Sequence, residues 1–336
     1  MCKGDSVMKI IKPSAEYMEH DGDVYKFIEK IGRVCYKSED KITEDSAIKF
    51  VQGLMFRQHY AMLEHETIYL KVSYNFLKDF VEDLAFDNTA YLKYFNISGY
   101  SVNQDNVISG SFRSFLDLFS SKARGFSVNH LKFVLGVYYP SIFGSCYAGN
   151  KYREDDCLVL SRQDFIDTFK DYPKVLSKHL THTVKFICDR GVSHEFVRHR
   201  PCSFAQESTR YCNYSNSKFG NEITVIKPLF FSRLEDTPDS VKYDNSTYTS
   251  WLLSCERAES KYFELLEKGA TPQEARSVLP NSLKTELVIT ATEKEWQHIV
   301  DLRLKGTTGA PHPQMKEVMS LAIKDLVEKS DGRIVQ

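Results

Sequence analysis

The sequence predicts an α/β (α+β) fold, a mixed β-sheet flanked by helices, and three observations predict it. Residues 66–72, ETIYLKV, and 181–189, THTVKFICD, alternate like strands, with Val184, Phe186 and Cys188 on one face. ELVITAT at 286–292 is a third strand-like run. Much of the remaining sequence carries helical spacing and capping signals, and sheet segments mixed with helices point to this class.

In chain order, MKIIKP at 8–13 is a first strand-like run, and Met8 is an alternative start. Residues 44–58 have helical spacing, with Ile48, Val51 and Met55 on one stripe. Residues 74–180 are aromatic-rich and irregular in period, with helix-like pieces such as NFLKDFVEDL at 75–84. After the 181–189 strand, Gly191 reads as a break. Ser193 is then an N-cap for a short helix, HEFVRHR, which Pro201 ends. Residues 250–269 form a helix with Leu252, Cys255, Tyr262 and Leu266 near one stripe and Gly269 as its stop. Thr271 to Glu274 is a capping box with Pro272 at the first helical position. Thr292 to Glu295 is a second one, opening EKEWQHIVDLRL. A last helix at 314–329 carries Met315, Val318, Met319, Ala322 and Leu326 at helical spacing.

Composition narrows the function. The chain has 336 residues, an ordinary apolar content and a formal net charge of −1, so a broad basic face for nucleic acid is not expected. Eight cysteines lie scattered without a C-x-x-C pair, which gives a structural zinc site little support, and no metal is expected. The most apolar segment, 133–144, is too short for a membrane span and contains Pro140. The reading is a cytoplasmic protein from a reducing compartment, with mostly free thiols. Neither G-x-G-x-x-G nor the P-loop pattern occurs.

The stretch 198–211, RHRPCSFAQESTRY, concentrates the chemistry. Ser208, Thr209 and Arg210 put two hydroxyls beside a guanidinium, a donor set that suits phosphate oxygens. Gln206 can both donate and accept, as reading a pyrimidine edge requires. The plainer alternative is a helix end with Glu195 paired to Arg198 or His199, followed by a polar turn. Cys202 is a candidate nucleophile beside arginines, or a small buried apolar residue. His59 and His65 are six apart, poor spacing for one helical face.

These residues resemble the signature of flavin-dependent thymidylate synthases: Arg198-His199-Arg200, then Ser203, Ser208 and Arg210. GRVCY at 32–36, HYAMLEH at 59–65, GATPQEARSVLP at 269–280, EWQHIVDLR at 295–303 and APHPQM at 310–315 resemble other family elements in order. The resemblance implies one catalytic domain over 1–336, formed by about 1–72 and 181–328, with an insertion at about 73–180. It implies reductive methylation of dUMP to dTMP, with methylenetetrahydrofolate as carbon donor and NADPH as reductant through FAD. It also implies a homotetramer with subunit-spanning active sites and no nucleic acid or membrane partner.

Carried over by position, Ser208, Thr209, Arg210 and Arg276 hold the dUMP phosphate, Glu195 and Arg198 assist, and Gln206 and Glu207 line the nucleotide pocket. Arg303 is the catalytic cation on the uracil. His59, Arg198, His199, Arg200, Gln206, Lys294 and His298 are the FAD-binding set. Four positions depart from the pattern: Thr292 and Lys294 stand where an Asn-x-Arg pair is usual, Ala61 where a hydroxyl is common, and Glu195 where glutamine is frequent. VISGSFRSFLDLF at 107–119 resembles the family's late Asn-x-Arg helix more closely than 288–302 does. It is either a partial duplication serving structure, or a second source of flavin contacts through Ser111 and Arg113. Two other readings of the whole chain stand beside this one: an inactive nucleotide- or flavin-binding homologue, and a thiol-dependent nucleotide methylase using Cys202.

Overall fold

The structure is a computed structural model; it describes residues 8–99, 105–121, 123–146, 156–231 and 245–336. The strands are β1 (Lys9–Ile11), β2 (Ser14–Tyr17), β3 (Thr67–Val72), β4 (Phe95–Ser98), β5 (Asn106–Ser111), β6 (Cys157–Leu160), β7 (Thr181–Asp189), β8 (Ser203–Gln206), β9 (Thr224–Ile226) and β10 (Lys284–Thr292). One antiparallel sheet has the order β2-β7-β10-β8 and a second has the order β4-β5-β3-β6. β1 and β9 form a separate parallel pair. Helices pack on these sheets, so the fold is the mixed α/β type that the sequence predicts.

β10 organises the first sheet. It pairs with β7 along its whole length, from Lys284 opposite Asp189 to Thr292 opposite Thr181. Its other edge takes β8, with Leu287 opposite Gln206. β10 is buried at every position from Thr285 to Ala291, so both of its faces are covered by packed layers and its burial does not alternate. The apolar side carrying Val184, Phe186 and Cys188 packs against Trp296, Met315, Met319 and Leu326. All five residues of the last helical stripe are buried, as the spacing predicts.

The segment 73–180 builds most of the second sheet around β3, which lies just before it. A single apolar cluster joins Phe27, Ile31 and Leu63 to Phe80, Ile108 and Phe115. The sequence missed β4, β5 and β6. β5 is buried at five of its six positions and therefore shows no alternation. The resemblance at 107–119 has a local structural counterpart. β5 ends at Ser111, whose hydroxyl accepts the Ser114 N–H and opens the Phe112–Ser120 helix. β10 ends at Thr292, whose hydroxyl accepts the Glu295 N–H at 3.3 Å and opens the Glu293–Val300 helix. Each is an antiparallel strand feeding an N-capped helix.

Several sequence expectations are corrected. The Ser46–Phe56 helix buries Ala47, Val51 and Leu54, while Ile48 is 49% exposed. Gly191 does not break the chain before a helix capped by Ser193. The helix is Arg190–Phe196, capped by Asp189, and Ser193 is buried inside it. The Asp189 carboxylate ends the strand and accepts the Val192 N–H at 2.8 Å, which leaves Ser193 nothing to cap. That helix ends before Arg198, so Pro201 is not what terminates it. The Thr271–Glu274 capping box forms in both directions, and Gly269 has φ +92.

Trp296 links the layers. It is fully buried, and its indole N–H donates to the His182 carbonyl at 2.9 Å. Below it, Glu293 is buried and accepts from Nε and Nη2 along one edge of the Arg333 guanidinium, at 2.8 and 2.9 Å, and bonds His182 at 3.0 Å. Burial alone would raise the Glu293 pKa, but bonds from His182 and Arg333 hold it below the usual carboxylate value. Trp296→Ala leaves a cavity and an orphaned carbonyl. The expected cost is about 3–5 kcal/mol in urea unfolding, and a loss under about 1 kcal/mol would contradict this packing.

Candidate functional site

The end of the Arg190–Phe196 helix at Phe196 decides how the arginines are presented. Arg198 and Arg200 sit on the irregular chain between that helix and β8, both exposed, while His199 between them is buried. They are therefore not constrained to opposite sides of a helix. Among the described residues no carboxylate pairs with either. Glu195 is not paired with Arg198 or His199, as the plainer reading had it. Its carboxylate takes the Arg303 guanidinium at 3.0 Å, across from the other end of the fold.

Arg303 lies in a π-helical turn, Asp301–Lys305, that follows the Glu293–Val300 helix. Such turns are rare and concentrate at functional sites. Its Nε donates to His199 Nε2 at 2.9 Å, and the His199 ring lies 6.2 Å from that of His298. Burial, then the charges of Arg303, His298 and Arg198, lower the His199 pKa to about 4. His199 is thus neutral and accepting, and Arg303 is aimed by one acceptor ring and one carboxylate. A cavity of about 280 Å³ opens beside Glu195, with Asp189, Asn281 and Gln314 among polar groups and Phe230 and Phe231 among aromatic ones.

The hydroxyl loop is built from beneath. Glu207 is 3% exposed and accepts from Lys284 Nζ at 2.8 Å and the Tyr214 hydroxyl at 3.3 Å. Lys284 also reaches Glu286 at 2.7 Å, and Glu286 takes Lys37 at 2.7 Å. Burial would raise the Glu286 pKa, but Lys284 and Lys37 bring it below the usual value. Ser208 N–H donates to the Cys35 carbonyl at 3.1 Å, so the GRVCY element supports the same turn. Lys37, Lys284 and Glu286 were not singled out in the sequence, because partners this far apart leave no local period.

Above that lattice, Arg276 donates to the Thr209 hydroxyl at 3.2 Å, and Arg210 Nε donates to Gln273 Oε1 at 3.0 Å. Two distant segments therefore meet through reciprocal contacts, and Arg276 stands just past the short Pro272–Ala275 helix instead of inside it. Both guanidiniums are exposed, and among the described residues neither has a carboxylate partner. Gln206 turns its amide inward, donating to Ser193 at 2.9 Å and Thr285 at 3.2 Å.

The remaining predicted residues are dispersed. His59 is exposed and bonded to the Tyr36 hydroxyl at 2.7 Å, beside Tyr211. His65 is buried, bonded to Thr290 at 2.8 Å, and pushed down to about 4 by burial. Lys294 faces Lys178 and Arg333 in a separate depression. Arg113 binds Glu64 at 2.5 Å and Asp117 at 3.4 Å, tying the 73–180 segment to the Leu63-Glu64-His65 stretch. Burial raises the Cys202 thiol to about 12, which removes the thiolate a nucleophile needs. Among the described residues no group of His, Cys, Asp and Glu is placed to hold a metal ion, and no helix is long and apolar enough to cross a membrane.

Residues 161–329, just over half of the 336, match the family described as Thy1, thymidylate synthase complementing protein. The chain belongs to that family. Relatives named flavin-dependent thymidylate synthase include that of Pyrococcus furiosus, 27% identical over 175 residues covering 50% of this chain and 66% of that protein. The one from Pyrococcus abyssi is 31% identical over 128 residues, 38% of this chain and 48% of that protein. The Thy1 chain thus spans about half to two thirds of the length of these curated relatives. A solved UMP/dUMP methylase, PolB from Streptomyces cacaoi bound with 5-Br dUMP, overlaps 98% of this chain and 100% of its own at 14% identity. Its TM-score is 0.39, a likeness too loose to assign anything.

Lys284→Met strands Glu207 and weakens the hold on Glu286. It is expected to cost about 3–5 kcal/mol in urea unfolding, as breaking a buried ion pair does; a change near zero would show that the lattice does not support the loop. His199 supplies the pH test. Because its pKa lies below the ordinary 6.5, the unfolded chain takes the proton first. Its contribution to stability is intact above about pH 6.5 and is lost as pH falls toward about 4. In an NMR titration the His199 ring signals should hold still from about pH 7.5 to about pH 5.5, and a midpoint near 6.5 would contradict the Arg303 contact.

Proposed function

We propose that this Thy1 chain is a flavin-dependent thymidylate synthase that methylates dUMP to dTMP. The observation carrying the proposal is that the 208–210 turn and the 271–276 segment are joined by two contacts, Arg276 to Thr209 and Arg210 to Gln273, with no carboxylate on either guanidinium among the described residues. Hydroxyls and guanidiniums on two joined segments are a donor set for a phosphate monoester. The family match and the names of the relatives support the same reading.

In this reading Ser208, Thr209, Arg210 and Arg276 take the phosphate. Glu207 and Gln206, held inward, fix the strand end from which that turn projects. Glu195 and Arg198 flank the nucleotide. Arg303 is the catalytic cation: it meets the uracil and stabilises negative charge developing on the ring, a task for which it is pre-aimed by Glu195 and neutral His199. Its existing partners spare it reorganisation when the base arrives.

The residues fit FAD in kind. Arg198 and Arg200 offer exposed, unneutralised guanidiniums for phosphates, and His59, His199 and His298 offer flat rings and ring nitrogens. Lys294 completes the set as a point charge where a fork is usual. Bound FAD, with methylenetetrahydrofolate and NADPH as co-substrates, supplies the one-carbon and redox chemistry that no side chain here can. Cys202, kept as a thiol, has no part in it. The dispersal of His59, Arg303 and Lys294 suits sites completed by neighbouring subunits, and the assembly proposed is a cytoplasmic homotetramer.

Tritium release from dUMP labelled at carbon 5, with FAD, NADPH and methylenetetrahydrofolate, tests this directly. Wild type and Cys202→Ala are expected to release tritium. Arg210→Ala/Arg276→Ala should raise KM for dUMP by about 100-fold or more, from two lost charge-assisted bonds at about 1.5–3 kcal/mol each. A protein that stays colourless with FAD and releases nothing would favour the inactive homologue, and loss of activity in Cys202→Ala would restore the thiol route.

A further inference from the structure

A second cationic feature joins the 73–180 segment to the C-terminal half. The Pro173–His179 helix packs against the Glu293–Val300 helix. Beside them is an open depression of about 470 Å³ lined by Pro173, Lys174, Ser177, Lys178, Lys294 and Arg333. Every charged group lining it is a cation. Arg333 is already neutralised, since its guanidinium is held along one edge by the buried Glu293 carboxylate. The three ammonium groups are not: among the described residues none has a carboxylate within 4.0 Å, and the Lys178 partner is the neutral Ile97 carbonyl.

This arrangement is unfavourable as it stands. Lys174 and Lys178 are four residues apart on one helix face, a spacing at which like charges repel. Partial burial, followed by the charge of Lys294, pulls Lys178 below the ordinary ammonium pKa. A multiply charged anion seated among the three removes that repulsion. The only fork in the depression is taken by Glu293, so bidentate recognition of a carboxylate is unavailable. Three separate point charges instead suit a tetrahedral oxyanion approached from several directions. The volume is that of a small-molecule site.

We propose that this depression binds a small diphosphate-bearing anion. The proposal deepens the FAD reading and rests on it for Lys294, which belongs to the proposed FAD-binding set; Lys174 and Lys178 belong to the 73–180 segment and to neither the FAD nor the dUMP set. The shared chemistry has two sources, the diphosphate of a dinucleotide cofactor and that of a free nucleoside diphosphate.

Calorimetric titration of the full chain with inorganic pyrophosphate tests it. Arg198→Ala/Arg200→Ala/Arg210→Ala/Arg276→Ala, which removes the other guanidiniums proposed for phosphates, should still bind pyrophosphate saturably. Lys174→Glu/Lys178→Glu added to that background should bind at least about tenfold more weakly, and about 1 M salt should weaken the four-arginine variant in the same direction. Both lysines are exposed, and unchanged urea midpoints will confirm that the variant is folded; Lys174→Ala/Lys178→Ala repeats the test without new negative charge. Competition by FAD identifies the cofactor's diphosphate as the occupant, and competition by ADP alone identifies a free nucleotide. Pyrophosphate binding that survives in both lysine variants on the four-arginine background, or that disappears when the four arginines alone are replaced, overturns the site while leaving the dUMP reading untouched.

Discussion

The Ser208-Thr209-Arg210 turn depends on one buried carboxylate. Glu207 sits directly before the Ser208-Thr209-Arg210 turn and is held by Lys284 and Tyr214. Among the described residues Arg210 and Arg276 have no carboxylate partner, so ion pairing does not hold the turn in place. The alternating lattice Glu207, Lys284, Glu286, Lys37 does so instead, fixing the strand end and the turn to β10 and to the Tyr36–Lys37 region at once. A buried pair of this kind adds little net stability, but removing one member is costly. Its contribution is to position the loop.

The two ends of the site are both governed by β10. Lys284 at its start serves the phosphate turn. Thr292 at its end caps the helix that leads to Arg303. Because β7 and β8 flank β10 over a fixed register, the 198–206 stretch is held between those two ends. Arg303 then reaches back to Glu195 and His199, closing the circuit from the far side.

Much of this was legible in the sequence, and the failures have physical causes. The Thr271–Glu274 box, the stripe at 315–326 and the β7 alternation were legible because each depends on neighbours a few residues apart. The hydroxyl-arginine grouping at 208–210 was legible for the same reason. Asp189 was overlooked as a cap because Gly191 looked like a break, although a glycine in a first turn does not stop a helix whose cap is already satisfied. β5 was invisible because burial on both faces erases alternation. The pairs Arg303–Glu195 and Lys284–Glu207 join segments far apart in the chain, and nothing in either segment announces the partner.

The central claim is that Arg210 and Arg276 together grip a phosphate. Calorimetry of dUMP against deoxyuridine, which differ only in that group, measures it most directly. The account predicts that the phosphate is worth at least about 100-fold in affinity for the wild-type chain, and that the advantage falls to a few-fold in Arg276→Ala. Equal affinities for the two compounds in the wild type would contradict it.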